Sequence, residues 1–186
     1  QVVLQGEELA PLSPPAVTVE KTSKALMFAS ATWHFSTERY PRTAEGDLFR
    51  VERKLYRRSE VGGKPRLEPL AAGARLEVGD QLEVELEITA RAPAEYVHLR
   101  DPRGAGFEPE DLRSGTRYDL GVFHYRQVRD SGTDFFFEQL PAGTYTLRYR
   151  LRAATAGSFR VAPATLQSMY APEFTAYSAG DGLEVR

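Results

Sequence analysis

The sequence contains no cysteine and no asparagine. Without cysteine there is no disulfide, no thiolate nucleophile and no thiolate metal site. The compartment stays open, because a β-domain of this size folds without disulfides. Without asparagine there is no N-glycosylation sequon and no Asn-Gly hairpin turn. Lysine is confined to Lys21, Lys24, Lys54 and Lys64, so arginine carries most of the positive charge. These shortages fit a heat-adapted source and a compositional bias of the genome equally well. An excess of charge is missing too: 24 basic and 26 acidic side chains leave a formal net charge of -2. That gives no footing for nucleic acid or an anionic membrane surface. No apolar run approaches the roughly 20 residues of a membrane-spanning helix, and no signal peptide is visible. The chain begins with Gln1 rather than methionine, which reads as a processed or excised piece of something longer.

What the sequence does contain is alternation. Its 186 residues fit one domain, or a domain plus an arm. Residues 1–24 hold a short apolar run, Val2–Leu4, then Pro11, Pro14 and Pro15, and read as an arm or linker from the preceding part of a larger protein. Residues 25–186 read as the domain. Over 25–36 Met27, Ala29, Ala31, Trp33 and Phe35 share one face of an extended chain, although the alanine content leaves helix open. A second strand is expected over 49–58, with Phe49, Val51 and Leu55 on one side and a Gly62-Gly63 turn beyond. The clearest strand of the first half is 82–88, where Leu82, Val84, Leu86 and Ile88 oppose Glu83, Glu85 and Glu87. Tyr96–Leu99 is another. Asp101–Asp130 reads as a long irregular segment, with a helical turn at Glu108–Leu112 opened by Pro109. Inside it Val122–Val128 forms a strand that sets Val122, His124 and Arg126 against Phe123, Tyr125 and Gln127.

The stretch Thr133–Tyr177 organises the rest. Phe135–Leu140 leads through a Pro141-Ala-Gly143 turn into 144–152, where Tyr145, Leu147, Tyr149 and Leu151 oppose Thr146, Arg148, Arg150 and Arg152. Phe159–Val161, Leu166–Tyr170 and Leu183–Val185 add further strands. With about eight or nine strands and at most short helical turns, the fold class is all-β, an antiparallel two-sheet β-sandwich. The glutamates of 82–88 and the arginines of 144–152 predict a cross-strand charge ladder, with both strands in one sheet and their charged faces on the same side.

No chemistry of catalysis emerges. His34, His98 and His124 each sit in a strand-like run without metal-ligand spacing and read as structural. There is no nucleophile elbow, phosphate-binding loop or dinucleotide fingerprint. The carboxylates Glu108, Glu110 and Asp111 lie beside Arg103 and Arg113, which favours a solvated loop over a calcium or acid–base site. No enzyme, cofactor or metal is expected. Binding is the better prospect. Phe107, Tyr118, Phe123 and Tyr125 interleave with Arg103, Arg113 and Arg117, the residue types favoured in interface hot spots.

Several segments together resemble the C-terminal macroglobulin-type domain of bacterial alpha-2-macroglobulins: Glu95–Arg103, Gly104–Pro109, Ser114-Gly115, Tyr125-Arg126 with Arg129-Asp130, Phe135–Phe137 with Leu140–Tyr145, Ala156-Gly157, and Gln167–Phe174. Their order and spacing agree over about residues 70–180. The resemblance implies a β-sandwich at the end of a large extracytoplasmic protein of the bacterial periplasm or cell envelope. There, cleavage of a bait region triggers a rearrangement that traps the protease. It implies a non-catalytic domain that packs against and shields a thioester-type domain, with adjacent macroglobulin-like domains as further partners. It also implies contact with the trapped protease through the parent protein. Since this chain lacks cysteine, any thioester lies elsewhere in the parent or is absent. Ser168 stands where cysteine would be expected and is a tolerable small replacement. Within the motif, Tyr96, His98, Met169, Tyr170, Pro172, Glu173 and Phe174 read as structural, with Met169, Tyr170 and Phe174 in the core or fixing a corner. The competing reading is that this edge, with the 101–125 segment, contacts the neighbouring domain. A different class of function, an independent adhesion or carbohydrate-binding module, remains the alternative.

Overall fold

The structure is a computed structural model that describes residues 18–22, 24, 26, 27, 40–71 and 73–186. The chain divides into two units, residues 1–36 and residues 37–186. The strand expected over 25–36, with Trp33 and His34, lies almost wholly outside the described residues, as does the expected boundary after residue 24. All the strands described belong to the second unit.

In chain order they are β1 (Phe49–Val61), β2 (Lys64–Pro69), β3 (Arg75–Leu76), β4 (Gln81–Ala90), β5 (Ala94–Pro102), β6 (Phe107–Pro109) and β7 (Gly115–Asp119). There follow β8 (Val122–Arg129), β9 (Gly132–Leu140), β10 (Gly143–Ala153), β11 (Gly157–Val161), β12 (Thr165–Ser168), β13 (Thr175–Tyr177) and β14 (Asp181–Val185). They form a five-stranded sheet in the order β2-β1-β4-β10-β6 and a six-stranded sheet in the order β13-β12-β5-β9-β8-β7. A three-stranded sheet, β11-β14-β3, completes the unit. All pairings are antiparallel except β14 with β3. The expected sandwich is therefore present, with more and shorter strands and a third small sheet that the alternation pattern did not reveal.

Apolar residues at every second position explain the two layers. Phe49 and Val51 of β1, Leu82, Val84, Leu86 and Ile88 of β4, and Leu147 and Leu151 of β10 turn inward from one sheet. Val97 and Leu99 of β5, Phe135 and Phe137 of β9 and Leu166 of β12 turn inward from the other. Burying a side chain of this size contributes about 1.5–3 kcal/mol. The β1–β2 turn uses Gly62 and Gly63 at φ 60° and 74°, the backbone a tight hairpin with the natural strand twist requires.

The charge ladder forms as expected. β4 and β10 are neighbours, with Glu85 opposite Arg148 and Glu83 opposite Arg150. Arg148 donates to Glu85 at 2.6 Å, and Arg150 stands 4.0 Å from Glu83. Lys54 of β1 joins from the other side, 3.8 Å from Glu85. Arg152, opposite Gln81, reaches Glu108 of β6 instead, at 3.2 Å.

Two local expectations fail. Asp101–Asp130 is not one irregular loop: besides the expected strand, β8, it contains β6 and β7. The helical turn at Glu108–Leu112 does not form, because the edge of β10 offers this segment better partners. Pro109 lies opposite Leu151, and the Glu110 amide donates to the Arg150 carbonyl at 3.1 Å. Proline at an edge strand loses no ladder donor that the sheet needs.

Candidate functional site: an aromatic outer face over a buried ionic core

The alternation of β8 decides the character of the six-stranded sheet. Val122, His124 and Arg126 face inward, and Phe123 and Tyr125 face outward. This inverts the usual rule that the polar set meets water. The register of β7 against β8 places Tyr118 opposite Phe123. Their ring centroids are 4.5 Å apart, and 64% and 67% of the two residues remain exposed. Tyr125 lies opposite Phe136, and Phe136 opposite His98. The imidazole stacks flat on the Phe136 ring, centroids 4.5 Å apart, while its Nε2 stands 2.7 Å from Asp134 Oδ1. These two contacts hold the His98 ring in one orientation.

The other end of this outer face carries the Gln167–Phe174 motif. β12 stops at Ser168, which is buried, so the expected strand to Tyr170 is shorter by two residues. The Met169 amide donates to the Tyr96 carbonyl at 2.8 Å, and the Ser168 amide to the Phe174 carbonyl at 3.1 Å. A turn closes where the Phe174 amide meets the Ala171 carbonyl at 3.0 Å. Pro172 supplies the fixed φ at its second position, and its carbonyl accepts from Thr175 Oγ1 at 2.7 Å. Pro172 and Glu173 are exposed. Met169, Tyr170 and Phe174 are exposed too, Tyr170 by 79%. The expectation that these three are core residues is therefore corrected: the backbone fixes the corner, and the side chains point out of it. Tyr170 meets Tyr96 edge to face, centroids 5.1 Å apart.

Both aromatic ends of this face rest on unusual backbone. Tyr96 has φ 51° and Leu120, at the turn between Tyr118 and Phe123, has φ 67°. A bulky L-residue in the left-handed region costs roughly 1–2 kcal/mol, and such positions gather at functional sites.

The remaining candidates divide. Phe107 is in the core, 4% exposed and packed edge-on against Phe159, so it forms no part of a surface. Arg103 donates to the carbonyls of Arg129 and Asp130, locking the end of β5 to the β8–β9 turn. Arg113 and Arg117 gather around Asp111. These hydrogen bonds, led by the Arg113 side chain, hold the Asp111 carboxyl below its ordinary value.

Behind the aromatic face lies a cluster that the strand pattern concealed. Arg53 occupies an inward position of β1, its side chain 1% exposed. It donates to Asp101 of β5 at 2.8 Å, to Asp181 of β14 at 2.9 Å and to the Ala162 carbonyl at 2.8 Å. Tyr149 of β10 donates to the other oxygen of Asp101 at 2.7 Å. Burial works against the Arg53 charge, yet Asp101 and Asp181 hold its pKa above the ordinary value. Burial, reinforced by Asp101, pushes the Tyr149 phenol well up, so it keeps the proton it donates. A cavity of about 20 Å³ adjoins Arg53, Asp101 and Tyr149, room for about one water. This cluster joins all three sheets. Its sequence signal was an arginine at an inward position of an apolar strand.

Among the described residues no helix is long and apolar enough to cross a membrane, and no three His, Asp or Glu side chains gather as a metal site would require.

Comparison with known proteins gives these features a family. The chain is 28% identical over 105 residues to an alpha-2-macroglobulin homolog of Nostoc sp., a match covering 53% of this chain and 6% of that protein. It is also 28% identical over 99 residues to circularly permutated Ras protein 2 of Dictyostelium discoideum, covering 53% of this chain and 2% of that one. Among solved structures, Salmonella alpha-2-macroglobulin reacted with methylamine superposes with a TM-score of 0.61 at 21% identity, covering 76% of this chain and 9% of that chain. Native Escherichia coli alpha-2-macroglobulin, spanning domain MG7 to the C-terminus, gives 0.61 at 20% identity, covering 79% and 25%. These structures establish a shared fold, and the chain spans a small part of each relative. The family model that matches is the bacterial alpha-2-macroglobulin MG10 domain, over residues 49–173. That span contains the whole aromatic face except Phe174 and most of the core, so the chain belongs to the bacterial alpha-2-macroglobulin MG10 domain family.

Proposed function

We propose that this chain is a non-catalytic domain of an extracytoplasmic protease inhibitor of the alpha-2-macroglobulin type. In this reading residues 1–24 are the arm that enters it. Residues 25–186 form the domain whose aromatic face packs against and shields a neighbouring thioester-type domain until bait cleavage. The inverted alternation of β8 carries the proposal. Phe123 and Tyr125 face outward while His124 and Arg126 are buried, an arrangement that favours a partner over water. Tyr96, Met169, Tyr170 and Phe174 extend the same apolar character at the other end of the sheet. Exposed aromatic clusters of this kind mark protein-binding surfaces, and each of the two clusters includes or adjoins a residue in the left-handed region, Tyr96 and Leu120.

The mechanism is a release. A covered aromatic face holds the neighbour, and rearrangement of the parent after bait cleavage parts the two. The test is to place Phe123→Ser and Tyr170→Ser together in the full-length parent and follow its compactness by small-angle scattering before and after protease addition. The expected result is an expanded, activated-like form before any protease is added. A parent that stays compact and latent with both substitutions would exclude this face as the contact. An isolated secreted chain that binds glycans through the same aromatics would favour the adhesion-module alternative.

A further inference from the structure

A second surface lies where β7 is the edge of the six-stranded sheet and β10, flanked only by the three-residue β6, comes next to the edge of the five-stranded one. β10 pairs with β4 along Gly143–Arg152, but on its other side β6 covers only Leu151–Ala153. Beside Gly143–Tyr149 no strand pairs among the described residues. The direction of the free groups follows from the strand period. The Arg150 carbonyl accepts from Glu110 on the β6 side, and the Ala153 amide donates to Asp80 toward β4. Even-numbered residues therefore direct N–H and C=O away from β4. Among the described residues Thr144, Thr146 and Arg148 present an unpaired ladder, the arrangement that accepts an added strand.

Alongside this edge is a cavity of about 80 Å³, lined by Arg117, His124, Arg126, Phe135 and residues 146–148 of β10. Its chemistry is cationic. The Arg126 side chain is 7% exposed and its contact to the Asp111 carboxylate is long, 3.4 Å. Asp111 also serves Arg113 and Arg117. The Nε atoms of Arg126 and Arg117 are buried with no hydrogen-bond partner among the described residues. Burial pulls the Arg126 pKa down, with Asp111 opposing. A guanidinium this deeply placed gains from a further carboxylate.

We propose that the free edge of β10 is a docking site for an extended acidic segment of a protein partner, which adds as a strand beside Thr144–Arg148 and directs a carboxylate into the cavity toward Arg126 and Arg117. The ladder supplies affinity for any extended chain, and the buried arginines select glutamate or aspartate at the inward position. The site does not rest on the aromatic face and stands if that face proves uninvolved.

The test uses the intact chain and a capped peptide alternating threonine and glutamate, with the same peptide carrying glutamine for glutamate as the control. Amide hydrogen exchange by NMR reads the ladder, and titration calorimetry reads the affinity. In the free chain the amides of Thr144, Thr146 and Arg148 should exchange fast, while those of Tyr145 and Leu147 are protected through β4. Peptide should slow the first set. The glutamine peptide should bind about tenfold more weakly, and raised salt should weaken the acidic one. Thr146→Pro removes a free-side donor without touching the β4 ladder, and Arg117→Gln removes a half-buried charge; each should weaken binding about tenfold. The proposal is overturned if Thr144, Thr146 and Arg148 are already protected in the free chain. It fails equally if the acidic peptide does not bind, if it binds without protecting them, or if the glutamine peptide binds as well.

Discussion

The two sheets of this domain show opposite outer faces. On the five-stranded sheet, Glu83 and Glu85 answer Arg148 and Arg150 across the ladder, with Lys54 beside them. On the six-stranded sheet, Tyr118, Phe123, Tyr125 and the Tyr96–Tyr170 pair take the corresponding outward positions. Both sheets bury aliphatic and aromatic residues on the inside, so the core does not distinguish them. One outer face is satisfied within the chain, because each charge has an opposite neighbour, and the other is not, because its rings have only each other. An exposed aromatic face is the incomplete one, and incompleteness of this kind points to a partner.

The largest expected effect tests whether the two faces belong to one cooperative sandwich at all. Arg53→Met leaves Asp101 buried beside Tyr149 without its cation. Denaturant unfolding should show a loss of about 3–5 kcal/mol; a loss below about 1 kcal/mol would mean that the sheets hold together without the ionic cluster. Next comes the charged face. Arg148→Ala takes from Glu85, which is buried, its closest cation and leaves only Lys54 at 3.8 Å and the Tyr56 hydroxyl at 3.4 Å; it should cost about 1–3 kcal/mol, whereas Arg150→Ala, whose contact to Glu83 is long and exposed, should change stability by less than about 1 kcal/mol. Equal losses for the two would remove the distinction between a buried and a solvated rung.

Leu120→Gly at the β7–β8 turn should stabilise the isolated chain by about 1 kcal/mol, since φ 67° suits glycine and strains leucine. Thermal unfolding checks the direction. Phe123→Ser with Tyr170→Ser should alter the isolated chain by less than about 0.5 kcal/mol per site while disrupting the parent. A large loss in isolation would recast the aromatic face as part of the core. The smallest effect concerns Asp111. Hydrogen bonds from Arg113, first the side chain and then the backbone, lower its pKa. Its stabilising contribution is complete above the unfolded-state value and disappears as pH falls through the lower folded value. A carboxyl NMR titration should find Asp111 below the ordinary aspartate value of 3.8, and Arg113→Ala should move it back up.

Much of the fold was legible in period two. The alternation at 82–88 and 144–152 identified both strands, their inward residues and, through complementary charge, their pairing. The same rule named Phe123 and Tyr125 as one face of β8 but could not say which face meets water, because His124 and Arg126 are as polar as surface residues elsewhere. The 101–130 segment was misread because β6 and β7 are short and owe their extended form to partners distant in sequence. Phe107, read as a surface aromatic, is core for the same reason: β6 pairs alongside β10 in the five-stranded sheet. The Met169–Phe174 motif was legible as a turn, through Pro172, while the outward direction of its side chains was not.

By itself the sequence determined an all-β sandwich without disulfides, the spacing of its principal strands, and a motif series that carries the family. These follow from local rules, since alternation, proline and glycine act within a few residues. Only the tertiary structure decided that Arg53 is a core residue, because its partners Asp101 and Asp181 lie 48 and 128 positions away. It also decided that the aromatic side of β8 is the outer one and that, among the described residues, no strand pairs with β10 on the side away from β4 beside Gly143–Tyr149. Which side of a strand is inside depends on the sheet that closes over it, and that closure is set by contacts between segments that no local pattern brings together.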